Sequence, residues 1–142
     1  MAGGEDQARR LVPVLLESLR DADEARLREL LAEAITAVGG RRHDVVRPRS
    51  YYIQRVLTHA RRVSLPADRS VEEMVDLPLI RVTRAAVYWN RQPLPQLLRP
   101  TDLVVEVPIR EPARQALGLL LAWQVRGILV VRPGTEPRIV AL

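Results

Sequence analysis

At 142 residues, with 47% hydrophobic and 27% charged content, the chain has the length and balance of one globular domain with its own core. All 22 of its basic residues other than histidine are arginine, and the formal net charge is +5. The absence of lysine excludes Schiff-base chemistry and a phosphate-loop lysine, and the absence of cysteine excludes a thiolate nucleophile, a disulfide and cysteine-ligated zinc or iron–sulfur clusters.

In chain order, Ala8, Leu11, Val12, Leu15, Leu16 and Leu19 recur at helical spacing, so residues 7–20 predict a helix that begins firmly near Val12 or kinks at Pro13. Asp21 to Glu24 form a start signal for a second helix, with Asp21 capping the amides. That helix carries Leu27, Leu30, Leu31, Ala34, Ile35 and Val38 on one face and stops at Gly39-Gly40, giving an antiparallel helical hairpin. Arg41 to Arg49 reads as a basic loop ending at Pro48. Ser50 caps a third helix over roughly residues 51–63, with Arg55, His59 and Arg62 in one outer stripe. Ser70-Val71-Glu72-Glu73 is a capping box for a short fourth helix ending before Pro78.

The second half reads differently. Leu79 to Arg84 alternates as a half-buried strand, Gln92 to Pro100 is a proline-rich connector, and Leu103 to Val107 is a strand. Pro112 opens a helix ending at Gly127, apolar nearly all round. Ile128 to Val131 is a buried strand, Pro133 to Pro137 a turn, and Arg138 to Leu142 a final strand. The expected fold class is α+β: a helical N-terminal half of three to four helices packed with a small C-terminal βαββ module in a sheet of about four strands. A single domain over residues 1–142 is expected, with a possible subdivision into a helical region (residues 1–76) and an α/β region (residues 77–142).

Charge is concentrated. Residues 1–40 carry 5 arginines and 8 acids, 41–62 carry 7 arginines and one acid, and 63–142 carry 10 arginines and 8 acids. Arg41, Arg42, Arg47, Arg49, Arg55, Arg61 and Arg62 surround Tyr51 and Tyr52, a composition that suits phosphate or carboxylate oxygens. The eight carboxylates of the N-terminal helices could instead neutralise this segment within the chain. His43 and His59 lie inside the basic stretch, where neighbouring arginines oppose a metal cation, and no serine sits in a nucleophile elbow. Neither a catalytic constellation nor a metal or cofactor site is expected. Trp89 and Trp123 read first as core filling; the alternative makes them, with Leu119, candidate anchors of a protein interface, because tryptophan is enriched at such surfaces.

Asp102 to Val107, Ala116 to Leu121, Gly127 to Val131 and Arg138 to Leu142 together resemble the core of a CBS domain, a paired regulatory module that often binds adenosine nucleotides. Ile80 to Ala86 is similar to the strand end and threonine of a preceding CBS module, although Ala86 stands where that family usually has a ribose-binding acid. The resemblance covers roughly residues 79–142 and implies an adenosine-nucleotide sensor.

The expected function is a non-enzymatic regulatory or assembly module that binds another protein or itself, with a homodimer expected. The rival is a nucleic-acid-binding protein using 41–62. No apolar run reaches the roughly 20 residues that span a bilayer, and Met1 to Asp6 lacks a leader pattern, so no membrane partner and a cytoplasmic location are expected.

Overall fold

A computed structural model describes residues 2–38, 45–59 and 70–142. The chain is α+β, and the described residues form six helices and a six-stranded sheet. α1 (Ala2–Asp21) runs unbroken through Pro13, which costs the Arg9 carbonyl its helical partner. Ala8, Leu11, Val12, Leu15, Leu16 and Leu19 form its buried stripe, as the spacing predicts. Gln7 exchanges hydrogen bonds with Gly134, and the Arg9 guanidinium donates to the Ile80 carbonyl, so α1 is tied to the second half of the chain. At its end Ala22 turns left-handed (φ 50°) and the Asp23 amide closes onto the Ser18 carbonyl. Asp23, rather than Asp21, caps α2 (Glu24–Leu30) by accepting from the Arg26 amide. Asp21 remains in α1, paired with Arg20.

The second helix is far shorter than expected. After Leu30 the chain becomes β1 (Leu31–Thr36), which pairs with β2 (Val46–Pro48) on one side and runs parallel to β6 (Arg138–Ala141) on the other. Leu31 and Ile35 lie four apart, a spacing that serves a helix face and one face of a strand equally. The vacancy beside β6 decides between them. The segment containing Arg47 is thus a strand where a loop was expected. α3 (Arg49–His59) begins before Ser50, so Ser50 lies in its first turn rather than at its cap.

α4 (Val71–Met74) is present, without a side-chain cap from Ser70. A single 3-10 turn at Leu77–Leu79 leads to β3 (Arg81–Arg84) and then to α5 (Ala85–Tyr88), which the sequence pattern did not predict. β4 (Leu103–Pro108), α6 (Glu111–Leu121), β5 (Arg126–Arg132) and β6 follow in the predicted order. The sheet order is β2-β1-β6-β5-β4-β3. It holds six strands rather than about four, because the N-terminal half contributes β1 and β2.

The two sheet faces are covered differently. Helices α1, α2, α3, α4 and α6 bury one face against Leu31, Ile35, Val105, Val107, Leu129, Val131 and Ile139. Each such fully buried aliphatic side chain contributes about 1.5–3 kcal/mol. The other face is covered by the 85–102 connector, which seats Ala85 and Leu98 on Val104, Val130, Val140 and Ala141. Thr36 Oγ1 donates to the Gln96 carbonyl (2.7 Å). Arg132 grips the buried Asp102 with two bonds of 2.9 Å and also donates to the Leu97 carbonyl. Among the described residues no helix is long and apolar enough to cross a membrane.

Candidate functional site

The site begins at the sheet edge. Arg47 pairs in register with Ile35, and directly opposed residues of an antiparallel pair share a face. Ile35 is in the helix-side core, so Arg47 also stands on the helix side. There its guanidinium lies 4.1 Å from the ring centroid of Tyr51 in the first turn of α3. Such an exposed cation–π contact is worth about 0.5–1 kcal/mol. Tyr52 meets the Tyr51 ring edge-on, with centroids 5.3 Å apart.

One turn along α3, Arg55 Nη1 donates to the Tyr51 hydroxyl (3.4 Å) and Nε donates to the Leu119 carbonyl of α6 (2.9 Å). One tyrosine therefore holds two guanidinium groups, one on its ring and one at its hydroxyl. Both charges also act on Tyr52: burial pushes its phenol above the ordinary range, while Arg47 and Arg55 pull the other way. Pro48, Ser50, Tyr51, Gln54, Arg55, Thr58 and His59 line an open groove of about 640 Å³ along this face. Spacing of four puts Ser50, Gln54 and Thr58 in one row and Tyr51, Arg55 and His59 in the next. His59 Nδ1 is buried with no hydrogen-bond partner among the described residues.

The N-terminal carboxylates do not neutralise the described arginines of this face. Glu5 pairs with Arg9, Glu17 with Arg26, Asp21 with Arg20 and Glu24 with Arg28. Among the described residues, no carboxylate lies within ion-pair distance of Arg47 or Arg55.

The expected basic cluster is only partly assembled here. Arg47 and Arg55 meet at Tyr51, whereas Arg49 turns away and donates to the Arg28 carbonyl, fastening α3 to α2. Arg41, Arg42, Arg61 and Arg62 lie outside the described residues, as does His43. Of the three expected interface residues, Leu119 is 39% exposed and adjoins this face through its carbonyl. Trp123 is a correction. It is 4% exposed and belongs to the helix-side core, because α6 stops at Leu121 instead of continuing to Gly127. Ala122 turns left-handed (φ 58°) and brings the indole down onto Gly127. Trp89 is half-buried, packed on the second core and against Tyr88. The polar row Ser50, Gln54 and Thr58 was not singled out from sequence, although its four-residue spacing was visible.

A void lined by Leu15, Leu27, Tyr52, Val56 and Leu142 among others measures only about 10 Å³, roughly one water-sized probe. Thr83 falls on the edge strand β3, and Ala86, where the CBS resemblance places its ribose-binding acid, is exposed on α5. No cluster of three or more metal-ligating side chains occurs among the described residues.

No protein-family model matches the chain. No curated protein matches it either. Among solved structures it is similar to a designed NTF2-like protein named Rd1NTF2_05, at 18% identity and a TM-score of 0.48, over 96% of this chain and 95% of that one.

Proposed function

We propose that the chain is a non-enzymatic protein-binding module, acting in regulation or assembly, whose recognition surface is the outer face of α3. The observation that carries this reading is the arrangement of Arg47, Tyr51 and Arg55 along an open groove with no described carboxylate on the two guanidinium groups. Tyrosine and arginine are the residue types that dominate binding energy at protein interfaces. Tyr51 and Arg55 are held in place by their neighbours before any partner arrives, so little side-chain entropy is lost on binding. The apolar surface of α6 is not the main interface in this reading, since Ala113, Ala116, Leu117 and Leu120 are spent on the chain's own core.

The test is photo-crosslinking in the host cell with a benzoylphenylalanine replacing Gln54, in the middle of the groove, and a second chain carrying it at Glu72 on α4. The expected result is a discrete protein adduct from Gln54 and none from Glu72. An adduct with a second copy of the chain would make the module self-associating. A nuclease-sensitive adduct would replace this reading with nucleic-acid binding, and no adduct at Gln54 would refute it.

A further inference from the structure

The geometry points to an acidic peptide segment of another protein as the occupant of the α3 groove, with a carboxylate of that segment held between Arg47 and Arg55. This inference rests on the protein-binding reading above and adds the partner's chemistry to it. Charge complementarity is the first argument. Two guanidinium groups converge on Tyr51 without a described carboxylate, and planar guanidinium forks match carboxylates in bidentate geometry. The Arg47 guanidinium makes no hydrogen bond among the described residues, its contact being the Tyr51 ring. Arg55 keeps Nη2 uncommitted there after donating from Nε and Nη1. Ser50, Gln54 and Thr58 add hydroxyl and amide groups suited to the backbone of a peptide.

A second copy of this chain fits less well, because several carboxylates of α1 and α2 already pair with arginines of the same two helices. Nucleic acid fits this groove less well. Tyr51 cannot serve as a stacking platform for a base, since Arg47 covers its ring and Tyr52 meets it edge-on. Strand addition to the sheet edge is also disfavoured. β2 is three residues long and ends in Pro48, which has no amide to donate. The partner therefore lies on the helix rather than extending the sheet.

The experiment is fluorescence anisotropy of the whole chain with three labelled probes: hexaglutamate, hexaglutamine and a thymidine hexanucleotide. Hexaglutamate is expected to bind at about 50 mM salt and to weaken several-fold at about 200 mM, as screening of partly exposed charges requires. Hexaglutamine is expected not to bind. Arg47→Ala and Arg55→Ala should each weaken hexaglutamate about tenfold, which corresponds to about 1.4 kcal/mol. Arg55→Lys, which keeps the charge but not the fork, should fall between, and Arg99→Ala, at an exposed arginine elsewhere, should change nothing. Circular dichroism of each variant separates lost binding from lost fold. Equal binding of hexaglutamine, equal loss with Arg99→Ala, or tighter binding of the hexanucleotide would overturn the inference. A protein captured at Gln54 in the cell without any hexaglutamate binding would remove the acidic partner while leaving the protein-binding module standing. Absence of a protein adduct at Gln54 would overturn the protein-binding reading and this inference with it, whatever hexaglutamate does.

Discussion

Gly127 has no side chain, and that is why Trp123 can lie flat on the start of β5. A Cβ at this position would sit 2.3 Å from Trp123 Cδ2, and the tryptophan itself is only 4% exposed. Gly127→Ala is therefore expected to lower stability by about 1–3 kcal/mol, the usual cost of overpacking, and to red-shift tryptophan emission. An unchanged urea midpoint would contradict the packing. Ala122→Gly should act in the opposite direction. Ala122 holds φ at 58°, a conformation costing a non-glycine residue about 1–2 kcal/mol, so a gain approaching 1 kcal/mol is expected after the flexibility glycine adds to the unfolded chain. Tyr52 supplies a pH dependence. Burial raises its phenol above the ordinary value of 10, so the unfolded chain loses that proton first. The contribution is intact below pH 10 and is lost as pH rises through the folded value. Denaturation of Tyr52→Phe should show a shallower loss of stability above pH 10 than the parent. At this scale Arg47, Tyr51 and Arg55 share one basic segment of the sequence, and the structure brings the three side chains together. For Trp123 the sequence left core and interface both open, and the core reading holds; nothing in the pattern Leu119 to Gly127 reveals that Ala122 reverses the chain.

The helices and strands were legible where one period dominated. α1, β3, β4 and β6 follow their apolar spacing closely, and the βαββ order of the second half is visible in it. The segment 31–36 was not legible, because Leu31 and Ile35 satisfy both periods and only pairing with β6 and β2 selects the strand. The sequence marks Gln92 to Pro100 only as a connector, yet the 85–102 segment that contains it covers a sheet face. Its anchorage depends on partners distant in sequence: Thr36 with Gln96, and Arg132 with Asp102. The Asp102 side chain is 1% exposed, and breaking a buried pair from one side typically costs about 3–5 kcal/mol. Arg132→Ala should lose stability of that order, and amide exchange in 94–102 should accelerate before that of β4. A loss below about 1 kcal/mol would show that the ion pair is not what fastens the connector.

For the molecule as a whole, the features work together. A six-stranded sheet is buried on both faces, by helices on one and by the connector on the other. Carboxylates of α1 and α2 pair with arginines of the same helices, which leaves the outer side of α3 with arginines that no described acid neutralises. The charge imbalance between residues 1–40 and 41–62 was legible in the sequence. The way it is resolved was not, because ion-pair partners are chosen by geometry and not by totals. Association belongs at α3 and not at the recess beside Trp123 that Ala122, Gln124, Arg126 and Ile128 also line. The most direct measurement is a ¹⁵N–¹H spectrum of the full chain titrated with hexaglutamate. Shifts confined to Arg47, residues 50–59 and Leu119 are expected, with the Trp123 indole signal unmoved. Shifts centred on residues 121–128 and that indole, with α3 silent, would contradict it.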